Sequence, residues 1–424
     1  MKILWLTNKI IPSVALAMGN SVAFVNEGWI TYMFSQLCEE DDIEMTVVCC
    51  GGTKNASGIS DKFAWFVVEE NRFSETTYDE KQKEVFERII KQVKPDVIHV
   101  WGSEYPHTLA MALAAKKCGC VEKMIISLQG IISFYSSYYY YCGLPKNVVH
   151  SRTFYDILRR TNIEDQERVF AERGKYEIAA LKEVHHVIGR TEWDKRCVLA
   201  QNPDLNYHFC NETLRKEFYS GIWNYEECKK FSIFVSQATY TLKGFHLLIE
   251  ALPRVIEKFP DTQVYVAGED IRGLDSIIKR LKCNSYGRYL RRCIEDKGLN
   301  SCIHFLGKLN AEKMKEQYLN SNVFVCCSSI ENSPNSVGEA MILGVPVICS
   351  DVGGVRSVFS APEEGWTYRW DDTNQLSQEI IEAFSDYKEA TERGSKAREH
   401  AVKTHDARKN YKTLCDIYKV IKEK

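Results

Sequence analysis

Two carboxylates, one lysine and a short run of backbone amides are the groups of this chain best placed to do chemistry. Glu331 and Glu339 stand with seven residues between them, inside the stretch NVFVCCSSIENSPNSVGEAMILGVPVICSDVGGVRSV of residues 322–358. The apolar run 323–327 has the length and β-branched content of a buried parallel strand. A polar turn containing Pro334 follows. A helix is predicted from Ser336, with Val337, Ala340, Met341 and Leu343 on one face; it ends at Gly344, before the strand 347–349. Such a strand–helix–strand unit sets polar residues at the carboxyl end of its first strand, where open parallel sheets bind ligands. The amides of Asn335, Ser336 and Val337, at the positive end of the helix dipole, suit a phosphate. A carboxylate beside a diphosphate is repelled unless it hydrogen-bonds sugar hydroxyls. Two Glu residues there therefore suggest a ligand that is both phosphate and polyol. A plainer reading stands beside this one. Ser336-x-x-Glu339 fits a capping box, with the carboxylate turned back on its own backbone, and Glu331 reads as a solvated turn residue.

Lys243-Gly244 opens another predicted helix, after the strand 232–235. The helix dipole opposes a lysine there, so Lys243 makes sense aimed at an anion, and a solvated lysine is the plainer reading of the residue taken alone. Gly244 permits close approach of backbone, and Gln237 lies in the loop just before. Gly268 in VYVAGED and Gly307 in IHFLGKL each follow a strand, and together they line one sheet edge with glycine. No G-x-G-x-x-G follows the first strand and no P-loop occurs, which argues against a nicotinamide enzyme and a Walker-type ATPase. His99 and His185 fall inside strands and read as core residues. His107 starts a helix just beyond a strand end, in a position to face a cleft.

The elements that must hold these residues alternate along the chain. At 424 residues two domains are expected. A net charge of -2 gives no electrostatic footprint for nucleic acid. No apolar run approaches the ~18 residues of a membrane span. The start, MKILWLTNKIIP, reads as a β-strand and not as a leader. The 16 Cys lie largely in apolar runs without Cys-x-x-Cys spacing, as small hydrophobes in a reducing cytoplasm. Strands are predicted at 2–7, 45–50, 63–68, 97–101, 123–128 and 184–189, then at 232–235, 263–267, 302–306, 323–327 and 345–349. Helices fall between them, among them 273–297, 311–319 and, near the end, 373–403. The alternation means doubly wound α/β sheets. The expected domains are 1–212 and 225–404, joined by 203–230, with helix 405–424 packing back towards the N-terminal domain. Two facing α/β halves would leave a domain interface, a common ligand site. Residues 131–160 are rich in Tyr and Arg. They read either as a surface that receives an acceptor or touches a membrane face, or as a packed aromatic loop.

SSIENSPNSVGEAMILGVPVICSDVGG resembles the signature of retaining glycosyltransferases of family 4 (glycosyl transferases group 1), with two Glu in S-x-x-E…G…E-A, then G-x-P-V-I and Gly-Gly. KGFHLLIEALPRV, VYVAGED and IHFLGKLNAEKMKEQYLNSNVFV resemble the family's preceding segments. The resemblance implies a GT-B fold, two Rossmann-like doubly wound domains facing across a cleft. It implies transfer of a sugar from a UDP- or GDP-type nucleotide-sugar donor to a glycan or glycolipid acceptor, with no metal or other cofactor and no nucleic acid. The expected setting is the cytoplasm at the inner face of a membrane, with peripheral contact one reading of the Tyr- and Arg-rich segment, and the expected role is surface polysaccharide or glycolipid synthesis. Glu331 would then hold the donor sugar near the reacting carbon, and Lys243 would neutralise the diphosphate. Glu339 would bind the ribose. Asn335, Ser336 and Val337 would hold the diphosphate and donor. Gly28 would belong to a loop closing over the phosphates, with Gly307 to Leu309 beside the base and Gly268 near the donor. His107 and Gln129 are the acceptor-side candidates. Three positions depart from the pattern. Gln237 stands where the family usually has Arg, leaving Arg190 as a candidate second cation; Gln129 stands for a His, and Ser357 for a Glu. A GT-B nucleotide-sugar epimerase and a nucleotide-sugar-binding protein without turnover are the alternatives.

Overall fold

The apolar runs form two sheets, one largely and one wholly parallel, each in its own unit of the chain. The computed structural model describes residues 1–20, 30–70, 75–136, 138–274 and 276–423. The first unit comprises Met1–Phe134, Val169–Arg215 and His405–Lys424; the second comprises Tyr135–Arg168 and Lys216–Thr404.

Among the described residues the first unit holds eight strands: β1 (Lys2–Thr7), β2 (Glu44–Gly52), β3 (Ala56–Ile59), β4 (Phe63–Glu69), β5 (Val97–Trp101), β6 (Met124–Ser127), β7 (His186–Gly189) and β8 (Asn206–Phe209). Their order is β3-β4-β2-β1-β5-β6-β7-β8, and β3–β4 is the antiparallel pair. Ile3, Leu4, Trp5 and Leu6 of β1 are all fully buried, as in a sheet covered on both faces. β3 and β8 were not expected. Both are edge strands, and ASGI and NYHF lack the continuous apolar run of a central strand. β8 falls inside the stretch read as a linker.

The helix Ala407–Lys422 belongs to this first unit. Its Tyr418 hydroxyl accepts from Trp5 Nε1 at 2.9 Å and lies 2.5 Å from His99 Nδ1, while His99 Nε2 lies 2.7 Å from Ser127 Oγ. Burial pushes the His99 pKa down to about 3, so the ring is neutral. One direction then satisfies every group: Trp5 donates to Tyr418, Tyr418 to Nδ1, and Nε2–H to Ser127. Tyr418→Phe is expected to leave two buried groups unmatched, at about 1–3 kcal/mol each. Urea unfolding with an unchanged m-value is the check. Because His99 is depressed below its unfolded value, its contribution is complete above pH ~6.5 and is lost as pH falls from there towards 3.

The second unit carries β9 (Lys229–Val235), β10 (Gln263–Val266), β11 (Ile303–Phe305), β12 (Ser321–Cys326), β13 (Val347–Ser350) and β14 (Gly365–Tyr368). The order is β11-β10-β9-β12-β13-β14, all parallel. The chain steps from β9 outward to β11, then returns to set β12 on the other side of β9. The order in which strands are added therefore reverses between β9 and β12, the topological switch point at which such sheets bind ligands. The predicted helix 273–297 is two helices, Ile277–Leu281 and Ser285–Asp296. Asn284 separates them, its Oδ1 accepting from Gly287 N at 2.8 Å as an N-cap. The expected helix 373–403 is likewise two, Thr373–Ser385 and Tyr387–Thr404.

Residues 135–168 correct the expected 1–212 boundary, because they fold with the second unit. Their carbonyls find donors there. Thr241 Oγ1 donates to Tyr140 O at 2.6 Å and Ser329 Oγ to Tyr139 O at 2.8 Å, and His246 Nε2 lies 2.8 Å from Cys142 O. Tyr140 and Cys142 are buried, so this part of the Tyr-rich run is packed.

Candidate functional site

The loop after β9 and the loop after β12 meet at the switch point, and two glycines allow it. Gly244 has φ +64°, and a Cβ on it would lie 1.8 Å from the carbonyl oxygen of Cys327. That closeness is locked by Ser329 N–H donating to Leu242 O at 2.9 Å and by Cys327 Sγ at 3.2 Å from Lys243 O. Lys243 Nζ consequently reaches Glu331 Oε1 at 2.5 Å. Gly353, φ +50°, leaves no room for a side chain against Glu331 O, 2.1 Å from where its Cβ would be, and Gly354 N–H donates to that oxygen at 3.0 Å. Ser328 Oγ donates to Glu331 Oε1 at 2.6 Å, and Ser350 Oγ on β13 fixes Ser328 through its carbonyl at 2.6 Å.

Glu331 is thus held at its backbone by the Gly-Gly turn and at its carboxylate by Lys243 and Ser328, and is not the solvated residue of the plainer reading. The Lys243 and Glu331 side chains are 22% and 13% exposed. Burial pulls the Lys243 pKa down, but the Glu331 carboxylate, together with Tyr240 and Cys326, outweighs it and holds the ammonium well above its ordinary value. The ammonium has three N–H groups, and Glu331 takes one of them.

The helix Asn335–Leu343 starts one residue earlier than predicted, with Pro334 as N-cap. Ser336 is therefore inside the first turn, and the Ser336–Glu339 capping box does not form. Glu339 is instead 5% exposed, with Tyr318 Oη 3.5 Å from its Oε2 and 2.9 Å from Ser336 O. The amides of Val337 and Gly338 already donate to Pro334 O at 3.0 and 3.2 Å. Val337 is thus spent inside the turn. Asn335 and Ser336 precede the first bond that the helix makes for itself. At the same carboxyl edge, Gly268 N–H donates to Gly307 O at 2.9 Å. A Cβ on Gly307 would meet nothing within 4 Å, and one on Gly268 would meet Thr239 Cγ2 at 3.6 Å, so this edge is open backbone. Gln237 is exposed after β9, and Leu309 is half-buried beyond β11.

The remaining candidates lie elsewhere. Gly28 falls outside the described residues. His107 is in the first unit and buried, with Nε2 2.8 Å from Asn8 Oδ1 and Nδ1 3.2 Å from Glu70 Oε1. Burial lowers its pKa against the pull of Glu70. Cys50, Glu70 and His107 are the group with metal-ligand spacing among the described residues, their ligand atoms within 4.8 Å of one another. Gln129, also in the first unit, donates to Glu212 Oε1 at 2.8 Å. Arg190 is buried and paired with that same Glu212, and it donates to Leu128 O at 2.7 Å. It is committed inside the first unit and not a loose second cation. Ser328, Tyr318 and Ser350 were not singled out as site residues. Ser328 could have been found from its i, i+3 spacing to Glu331; Tyr318 and Ser350 carry no local signal.

Two Rossmann-like doubly wound units, the second with an ion pair and a helix N-terminus at its switch point, define a GT-B protein. Residues 215–400 match the family of glycosyl transferases group 1. An uncharacterized glycosyltransferase of Methanocaldococcus jannaschii is 28% identical over 144 residues, 34% of this chain and 33% of that one. The chain spans about a third to a half of the length of the curated relatives it matches. Sucrose-phosphate synthase from Thermosynechococcus elongatus has the same fold, with TM-score 0.68 and 13% identity over 99% of both chains. Anabaena HepE, solved in complex with UDP, aligns with TM-score 0.66 and 14% identity over 99% of this chain and 100% of that one.

Proposed function

We propose that this protein is a retaining glycosyltransferase that moves a sugar from a UDP- or GDP-sugar to a hydroxyl of a glycan or glycolipid acceptor. The observation that carries the reading is the Lys243–Glu331 pair, held at the β9/β12 switch point, with Glu331 four residues before the helix Asn335–Leu343 begins. Cleaving a sugar–phosphate bond puts negative charge on the departing nucleoside diphosphate. A fixed ammonium and N–H dipoles stabilise that charge without reorganising. Glu331 turns its carboxylate to the hydroxyls of the donor sugar, and its bond to Lys243 couples sugar and phosphate recognition. Glu339, oriented beside Tyr318, takes the ribose hydroxyls. The open glycines 268 and 307 leave room for the base. The UDP complex of the Anabaena protein supports a nucleoside diphosphate as part of the ligand.

The test is a thermal-shift panel of nucleotide sugars, since a ligand of the folded state alone raises apparent stability by mass action. The donor so found is then supplied with acceptors, and product configuration is read by NMR. Conversion of the donor without any acceptor would mean an epimerase, and binding without turnover would mean a binding protein. Glu339→Ala is expected to weaken nucleotide affinity about 10- to 100-fold, the worth of hydrogen bonds to a charged acceptor. Transfer is expected to persist in EDTA, because Lys243 and the amides supply the positive charge in this scheme.

A further inference from the structure

We infer that the second unit carries a docking surface for an anionic lipid membrane, built from the helices Phe154–Arg159 and Ile277–Leu281. Large apolar side chains are ordinarily withdrawn from water. Here Phe154, Ile157, Leu158, Ile277, Ile278 and Leu281 are each 64–80% exposed. They are not scattered. Phe154, Ile157 and Leu158 fall at i, i+3 and i+4, one face of their helix. The opposite face holds Asp156, buried and accepting from Ser285 N at 2.9 Å. That contact fixes the first helix against the start of Ser285–Asp296, and Arg288 reaches Arg152 O at 3.5 Å beside it. Ile277–Leu281 ends just before Ser285, and none of its residues is buried. Leu274, also exposed, precedes it.

Charge selects the occupant. Residues 151–161 contain three arginines and residues 274–292 six Lys or Arg, against two acids, Asp156, already turned inward, and Asp275. Arg152 is partly answered by Glu164 and Asp165, 3.8 and 3.9 Å away. Arg159, Arg160, Lys279, Arg280 and Lys282 are exposed beside the apolar side chains. Short apolar faces flanked by basic residues lie in the headgroup boundary of an anionic bilayer, where the apolar groups insert and the charges meet lipid phosphates. No helix among the described residues is long and apolar enough to cross the bilayer, so the contact is with its surface. For a transferase acting on a lipid-borne acceptor this surface would bring enzyme and acceptor together.

The experiment is co-sedimentation of the full chain, without nucleotide, with vesicles of phosphatidylcholine alone or mixed with phosphatidylglycerol. Binding is expected only to the anionic vesicles and is expected to weaken as salt is raised. Ile157→Glu with Ile278→Glu should abolish it. Each neutralised basic residue, such as Arg159→Ser or Lys282→Ser, should weaken it about fivefold. All four side chains are exposed, so nucleotide-induced thermal shifts should be unchanged in these variants and report that they fold. Failure to bind anionic vesicles overturns the inference. So does binding that the double substitution leaves intact, or a lipid-free dimer in analytical ultracentrifugation that the double substitution dissociates. Vesicle binding reads this surface alone, and the nucleotide titration reads the donor site alone.

Discussion

Lys243→Ala is expected to lower affinity for UDP or GDP at least about 30-fold, since truncating one member of a hydrogen-bonded, desolvated charge pair costs about 2–5 kcal/mol. Two losses combine. On the proposed reading the diphosphate loses its cation, and Glu331 keeps a carboxylate facing the phosphates with Ser328 as its remaining side-chain donor. Transfer should fall further than binding, about 10²–10³-fold beyond it, because the charge Lys243 stabilises is largest when the sugar–phosphate bond is breaking. Glu331→Gln separates the parts. It frees the ammonium from its competing carboxylate, so affinity for the bare nucleoside diphosphate should hold or tighten, while kcat falls about 10²-fold. Titration calorimetry with UDP and GDP and single-turnover transfer are the measurements. Unchanged nucleotide affinity in a folded Lys243→Ala protein would sink the site assignment.

Gly244→Ala should be the most damaging small substitution in the second unit, at about 3–5 kcal/mol, a range reached when strain and overpacking coincide. Alanine at φ +64° carries a left-handed penalty of about 1–2 kcal/mol. Its Cβ would also lie 1.8 Å from Cys327 O, so the loops after β9 and β12 would have to part and the Lys243–Glu331 bond would lengthen. Gly307→Ala is the control. Its φ is +72°, yet its Cβ meets nothing within 4 Å, so only the conformational penalty of about 1–2 kcal/mol applies. Urea denaturation of both variants distinguishes the two terms. Equal losses would mean that the close approach at Gly244 does not matter.

The contrast between these glycines shows where local reading stops. Gly307 was legible as a turn residue after a strand and Gly244 as a place of close backbone approach, and both have positive φ; that the approaching group is Cys327 O was not legible. The strands and most helices were legible because apolar periodicity is a property of neighbours two to four residues apart. β3, β8 and β14 were not, because an edge strand is held by backbone pairing and needs no apolar run. The division of Ser285–Asp296 from Ile277–Leu281 turned on Asn284 as a cap inside a continuous amphipathic pattern.

By itself the sequence determined that two α/β halves exist, that Glu331, Glu339 and Lys243 lie at a strand end or helix start, and that glycines punctuate one sheet edge. Those are consequences of residue type and spacing. The tertiary structure decided that β9 lies beside β12, which brings Lys243 and Glu331 together across 88 residues of chain. It also moved the cap to Pro334, buried Glu339 against Tyr318, and drew residues 135–168 into the second unit. The reason is common to all of these. Strand order, burial and the pairing of distant donors and carbonyls are settled by closing long loops around one core, and no window of consecutive residues contains that information.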